Sequence, residues 1–248
     1  MNTTREKIAI DIGNTRCKIG QGEMVLPVEY GEKWLARIPC PPWPCQWWVG
    51  SVNRPRYFQW REWMRQNRPD DEVRVLNFRN IPIEIAVASP EKVGTDRLLA
   101  AVAANTLRQP GRGALIVDLG TALKVDWLDE NGIFRGGAIA PGLRMGALAL
   151  HLQTDALPEI DVRPILAGMQ GHEISPVGQN TFTAIQAGLF WGMVGTIREL
   201  VHQMERFCVT TPQRFLTGGG AESVLSVLGG EFQYVEEMVM MGIHTSAK

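Results

Sequence analysis

The sequence predicts an α/β protein built from two related halves, on three observations. Hydrophobic strand-like runs alternate with helical ones along the 248 residues. A short pattern occurs twice, as Asp11-Ile12-Gly13-Asn14-Thr15 and as Asp118-Leu119-Gly120-Thr121-Ala122, each time at the end of an aliphatic run. A third aliphatic run, Phe215-Leu216-Thr217, opens into Gly218-Gly219-Gly220 and then a helical stretch.

Ile8–Ile12 and Cys17–Gly20 read as strands joined by the turn Gly13-Asn14-Thr15. The segment 40–48 carries three prolines and three tryptophans, so no helical turn runs through it. It reads as an irregular lead into a buried strand at Trp47–Ser51, with the tryptophans used for local core packing. Arg56–Arg68 reads as a helix, and Val73–Phe78 and Pro82–Val87 as strands. Asp96–Leu107 has Leu98, Leu99, Val102 and Ala103 at helical spacing and no glycine to interrupt them. Pro110-Gly111-Arg112-Gly113 breaks the chain and marks a boundary, dividing it into domains 1–112 and 113–248. A hairpin follows (Leu115–Asp118 and Lys124–Leu128), then a glycine-rich turn, a helix near Arg144–Leu152 and a long helix over Asn180–Phe207. Arg214–Thr217 is a strand ahead of the glycine run, and Tyr234-Val235 a last one.

Composition narrows the function. The chain is 45% hydrophobic and 21% charged with net charge −1, and it lacks the basic excess that would attract nucleic acid or an anionic membrane surface. No apolar stretch approaches the length needed to cross a bilayer, and no secretory h-region precedes Ile8, so a cytoplasmic protein is expected. Cys17, Cys40, Cys45 and Cys208 lack the spacing of a zinc site, and His151, His172, His202 and His244 do not cluster in sequence.

The repeated turn has a chemistry that suits phosphate. Glycine lets anionic oxygens approach the backbone without a Cβ in the way, and consecutive turn amides form an anion-binding concavity. Asn14, Thr15 and Thr121 add neutral hydrogen bonds, and an aspartate at the strand end suits a hard cation held against nucleotide phosphates. One Asp-x-Gly turn is ordinary hairpin chemistry. Two, each after a buried strand and in different halves, point to a site. The glycine run lets a nucleoside lie against bare backbone at a helix N-terminus, completing an ATP cleft between the halves. Asp96, just before the helix from Leu98, serves either as a helix cap or, with Arg97, as a carboxylate base beside an anion clamp.

These elements together resemble the actin, hexokinase and heat-shock-70 superfamily. In the order Asp-x-Gly-Asn-Thr, Gly94-Thr95-Asp96-Arg97, Asp-x-Gly-Thr-Ala and Gly136-Gly137-Ala138-Ile139-Ala140-Pro141-Gly142, they resemble the type III pantothenate kinases. Leu157-Pro158, Gly178-Gln179-Asn180-Thr181 and Ile185-Gln186-Ala187-Gly188 fit the same family, so the resemblance runs over nearly the whole chain. It implies two similar actin-like (ribonuclease H-like) domains, each a mixed five-stranded sheet flanked by helices, with the ATP cleft between them. It implies ATP-dependent phosphorylation of pantothenate to 4'-phosphopantothenate, the first step of coenzyme A biosynthesis, by a homodimer. By position, Asp96 becomes the general base. Gly94, Thr95, Arg97 and the residue at Val87 contact pantothenate, and Thr181 reaches the partner subunit's substrate site. Asp11, Gly13, Asn14, Thr15, Lys18, Gly120, Thr121, Gly218, Gly219 and Gly220 bind ATP. Asp11 organises Mg²⁺, and Asp118 a monovalent cation, K⁺ or NH₄⁺.

Two positions depart from the family pattern. Val87 stands where the family has a tyrosine, and Leu123-Lys124 where the second hairpin normally continues Thr-Thr. Leu123 and Lys124 face opposite ways on a strand. Either Lys124 points to solvent while Leu123 fills the core, or its ammonium takes over the charge of the monovalent cation. These departures keep two other readings in view: a non-catalytic homologue with a regulatory or binding role, and a kinase for another small anionic hydroxylated substrate.

Overall fold

The repeat in the sequence is a repeat of topology. In the computed structural model, which describes residues 5–22, 24–166, 174–229 and 231–247, the chain forms two compact units. The first comprises the described residues up to Thr106 together with those from Met238 onward, the second Leu107–Glu237. The first sheet contains β1 (Glu6–Ile12), β2 (Arg16–Gln21), β3 (Met24–Glu29), β4 (Cys45–Ser51) and β5 (Glu72–Val75) in the order β3-β2-β1-β4-β5. The second contains β6 (Ala114–Leu119), β7 (Ala122–Leu128), β8 (Phe134–Pro141), β9 (Gln213–Thr217) and β10 (Phe232–Tyr234) in the equivalent order β8-β7-β6-β9-β10. In each, the first strand is antiparallel to the second and parallel to the fourth. Both sheets are mixed, five-stranded and flanked by helices, as the resemblance implies.

In the first unit, Ile8, Ile10 and Ile12 of β1 and Trp47 and Val49 of β4 are buried. Helix α1 (Arg54–Asn67) starts at Asn53, whose side chain accepts from the Arg56 amide at 3.1 Å, with Pro55 in the first turn, where a missing N–H costs nothing. It buries Trp60 and Met64, and Trp60 meets the Trp47 ring edge-on with centroids 5.9 Å apart. Of the three tryptophans in 40–48, only Trp47 is core; Trp43 is exposed and Trp48 half-buried. Helix α2 (Thr95–Leu107) has buried residues from Leu98 through Ala104.

In the second unit, Leu115, Val117, Leu119, Leu123 and Val125 face a core that includes Phe190, Val194, Ile197 and Val201 of a long helix, α5 (Thr181–Glu205). These fall three or four residues apart, which keeps one face of 25 residues against the sheet. Helix α3 (Leu143–Leu152), the short α4 (Arg163–Leu166) and α6 (Ala221–Leu228) complete the unit.

Four sequence expectations change. Pro82–Val87 is not a strand; the segment is irregular, with a γ-like turn from the Ile83 amide to the Ile81 carbonyl and a single bridge residue at Ile85. Its alternating pattern reflects alternating burial with pairing limited to that one bridge, and Pro82 offers no N–H to a ladder. The run Gly136–Pro141, read as a turn, belongs to strand β8. Gly137 is there because β7 comes close: a Cβ would lie 2.1 Å from the Val125 carbonyl oxygen. The chain leaves the first unit at Thr106 rather than at 112. It also returns, because the final helix α7 (Met238–Ser246) packs in the first unit, where Gly242 lies so close to α2 that a Cβ would stand 2.0 Å from the Leu99 carbonyl oxygen. His172 lies outside the described residues.

Candidate active site

In the first unit, Asp11 is the penultimate residue of β1 and lies directly across from Lys18 on β2. The turn between them closes with the Gly13 amide donating to the Arg16 carbonyl at 3.2 Å, and a Cβ on Gly13 would sit 3.0 Å from that same oxygen. Asn14 and Thr15 are exposed at its tip. Tyr30, just beyond β3, donates its phenolic hydroxyl to the Gly13 carbonyl at 2.8 Å. Cys17, buried behind the turn, has its thiol pushed up to about 12, by burial first and by the Asp11 charge second, so it stays a protonated, inert packing residue.

The Gly94-Thr95-Asp96-Arg97 motif lies on the same edge of the first sheet. The Val52 amide, just after β4, donates to the Ile12 carbonyl at 3.2 Å, and a Cβ on Gly94 would stand 3.8 Å from Val52 Cγ1. The C-terminal ends of β1 and β4 thus bring the Asp11 turn and the start of α2 together. Asp96 is not the helix cap. The Gly94 carbonyl takes the first helical bond, from the Leu98 amide at 3.3 Å, so Asp96 lies inside the first turn. Its Oδ1 accepts from the Arg97 amide at 2.9 Å and would collide, at 2.6 Å, with any Cβ on Gly94. Thr95, Asp96 and Arg97 are half-buried, as is Val87 in the irregular segment.

In the second unit the equivalent hairpin carries Asp118 on β6 and Lys124 on β7, cross-strand partners whose Oδ2 and Nζ are 2.6 Å apart. Gly120 and Thr121 are exposed at the turn. The glycine run meets it from β9. Gly218 has φ +94°, and a Cβ there would lie 2.6 Å from both Asp118 Oδ1 and the Leu119 carbonyl oxygen. The Gly220 amide donates to the Leu119 carbonyl at 3.0 Å, and Gly220 precedes α6. Gly219 is exposed with nothing within 4 Å of a built Cβ. Gly142, ahead of α3, touches the turn from a third side, its Cβ position 2.4 Å from the Thr121 carbonyl oxygen. The structure therefore gathers Gly120, Thr121 and Gly218–Gly220 onto one edge of the second sheet.

Lys124 does not point to solvent. Its side chain is 13% exposed and that of Asp118 15%, while Leu123 on the other face is core at 1%. The resemblance assigns a monovalent cation to Asp118. The residues present do not fit one, because the carboxylate already carries an ammonium and a second cation would meet a neutral pair.

The motif Gly178-Gln179-Asn180-Thr181 has a structural use. Asn180 accepts from the Thr183 amide at 2.9 Å in a capping box for α5, and a Cβ on Gly178 would overlap the Ala184 backbone. Since Asn180 and Thr183 make the cap, Thr181 is left exposed beside it. Sequence reasoning missed Tyr30 and Val52. Neither carries a local signal, since each acts on a turn reached only after the strands pair.

A family profile described as type III pantothenate kinase matches residues 28–203. The chain belongs to that family. Curated proteins named type III pantothenate kinase agree: one from Dinoroseobacter shibae is 35% identical over 168 residues, covering 66% of this chain and 60% of the relative. One from Listeria monocytogenes is 32% identical over 142 residues, 57% of this chain and 51% of the relative. Over these first relatives the chain thus spans about half to three fifths of their length. One from Phocaeicola vulgatus, 32% identical over 226 residues, is matched over 86% of this chain and 85% of its own. Among solved structures, a Campylobacter jejuni protein described as a Baf family transcriptional activator superposes with a TM-score of 0.63 at 16% identity, covering 96% of each chain. A Sinorhizobium meliloti protein described as a 2-dehydro-3-deoxygalactonokinase gives 0.51 at 16%, covering 97% of this chain and 98% of its own. These two share the fold. It is the two-domain actin-like fold.

Proposed function

We propose that this chain transfers the γ-phosphoryl group of ATP to the primary hydroxyl of pantothenate, yielding 4'-phosphopantothenate at the entry to coenzyme A biosynthesis. The observation that carries the reading is the shared edge of the first sheet, where Val52 bonds to Ile12 beside the phosphate-type turn of Asp11 and lies against Gly94, which opens the helix carrying Asp96 and Arg97. Family membership supports the substrate.

In this reading the pantothenate hydroxyl oxygen forms the new O–P bond while the bond from Pγ to the β,γ-bridging oxygen breaks, and ADP leaves with that electron pair. The hydroxyl proton passes to the Asp96 carboxylate, late, because a loose phosphoryl-transfer transition state needs little early deprotonation. Arg97 pairs with the pantothenate carboxylate, and Gly94, Thr95 and Val87 complete the acceptor site. Gly13, Asn14, Thr15 and Lys18 bind phosphate oxygens on the first unit, and Gly120, Thr121 and Gly218–Gly220 serve the nucleotide on the second. Magnesium fits Asp11. It binds through one or two carboxylates plus substrate phosphates, and a half-buried carboxylate beside an open turn is such a donor. When bound it would neutralise phosphate charge.

A homodimer is part of the proposal, with Thr181 serving the partner's acceptor site. Helix α3 supports it, exposing Met145, Leu148 and Leu152 at helical spacing. No helix among the described residues is long and apolar enough to cross a membrane, and a cytoplasmic location suits the substrates.

A second reading, a kinase for another small hydroxylated acid, is favoured by Val87, which brings neither ring nor hydroxyl to the acceptor site. A coupled assay of ADP release with magnesium, with and without pantothenate, separates the two. Pantothenate-stimulated release with phosphopantothenate as product is the expected result. ATP binding without stimulation would reject pantothenate as the acceptor.

A further inference from the structure

We propose that Lys124 is the resident cation of the second phosphate turn, so that nucleotide binding and turnover need no added potassium or ammonium ion. The inference rests on the kinase reading above and concerns how that site is charged.

Three features of the second unit carry it. The Lys124 ammonium is 2.6 Å from Asp118 Oδ2, and both side chains are largely withdrawn from solvent. The opposite carboxylate oxygen, Oδ1, is walled by backbone: Cβ atoms built on Gly218 and Gly120 would stand 2.6 and 3.5 Å from it. The carboxylate is thus enclosed between glycine backbone and an ammonium, and its net charge is cancelled on the protein itself. An unpaired carboxylate at this turn would repel the polyphosphate that the glycines are arranged to admit. A tethered ammonium removes that repulsion without a dissociable ion.

The neighbours on this sheet face do not reverse the argument. Asp126, on the same side of β7 as Lys124, is 2% exposed and lies opposite Ile116 and Gly137, one pleat farther from the turn, so it stands behind Lys124 and not at the phosphate side. Gly137 on β8 makes room for it, since a Cβ there would lie 2.5 Å from its Oδ1. Thr217 on β9 flanks Asp118 and Ile139 on β8 flanks Lys124, and neither carries charge. Lys124 is therefore the one cation among Thr217, Asp118, Lys124, Asp126 and Ile139.

The fold repeats the arrangement. Asp11 of β1 faces Lys18 of β2 as Asp118 of β6 faces Lys124 of β7, although the first hairpin is one residue longer between the pair. The register is shared by both halves, while in the second unit it carries a close, withdrawn carboxylate–ammonium contact, and it is this contact, not the register, that fills the cation position at Asp118.

The test is nucleotide affinity by calorimetry and pantothenate-stimulated ADP release, each measured in sodium or choline buffer and then with potassium or ammonium added at constant ionic strength. The wild-type chain is expected to bind and turn over equally in all of them. Lys124→Ala should lose about a hundredfold in turnover in sodium buffer. It should regain at least about fivefold with ammonium, methylammonium or potassium, a rescue that a structural lysine would not show. Strict potassium or ammonium dependence of the wild type overturns the proposal, and this arm needs no variant to fold. So does a Lys124→Ala chain as active as wild type and indifferent to cations. Loss of pantothenate turnover in every buffer with cation-independent ATP affinity would reject the acceptor and keep Lys124. Absence of ATP affinity in every buffer would reject both.

Discussion

The Tyr30 hydroxyl donates to the Gly13 carbonyl at 2.8 Å, tying the chain beyond β3 to the tip of the Asp11 turn. The carbonyl of a glycine in a phosphate-type turn is free to rotate, and with it the neighbouring amides that would face phosphate. One bond from a partly buried phenol fixes that peptide plane. The Tyr30 ring is itself held, edge-on to Trp34 at 5.0 Å and beneath the Arg56 guanidinium at 4.6 Å. Burial first, with the neighbouring Cys17 and Asp11 adding to it, pushes the phenol far above its ordinary range, so it remains a donor.

Tyr30→Phe keeps the ring and removes the bond. The expected cost is about 1 kcal/mol of stability, with ATP affinity falling several-fold and the pantothenate KM little changed. Calorimetry of nucleotide binding checks it. Unchanged affinity would mean the turn is set by its own glycine and the Gly13–Arg16 bond.

Asp96→Asn tests the base. The carboxamide oxygen can still accept from the Arg97 amide, so α2 should start as before. Turnover should fall about a hundredfold or more, with the melting temperature and ATP affinity close to wild type. Normal turnover would remove Asp96 from the chemistry and leave it a first-turn carboxylate.

Asp71 gives a pH prediction away from the site. Its side chain is 1% exposed and accepts from the Cys45 amide at 3.0 Å, the Trp47 indole at 2.7 Å and the Arg68 guanidinium at 2.8 and 3.0 Å. Burial works to raise its pKa, but the Arg68, Cys45 and Trp47 bonds outweigh it and hold the carboxyl below the ordinary value of 3.8. A depressed folded pKa means stability that is present above the unfolded value and lost as pH falls through the folded one. Asp71→Asn should therefore cost about 2–3 kcal/mol at neutral pH, and the gap to wild type should narrow in acid. Urea melts followed by tryptophan fluorescence from neutral pH downward measure this; a constant gap would mean that packing, not charge, carries the effect.

The elements that were legible in the sequence are those whose partners lie nearby. The β1–β2 and β6–β7 hairpins, α1, α2 and α5 carry their own periodicity, caps and turn residues. The elements misread depend on something distant. Gly136-Gly137 resembles a turn until β7 is set against it, when a glycine becomes what a strand needs to pass the Val125 carbonyl. Pro82–Val87 alternates like a strand but pairs only through the single bridge at Ile85.

Sequence alone was enough to determine that a phosphate-type turn occurs twice, that each follows a buried strand, and that Asp96 and Arg97 open a helix. Those facts are local, written in residue types and short spacings. The tertiary structure decided which groups meet. It brought Gly94 to the edge that carries Asp11, returned α7 to the first unit, and set Lys124 on Asp118 rather than in water. Each depends on strand register and close backbone approach, which are settled by packing between segments tens of residues apart and leave no trace in either segment by itself.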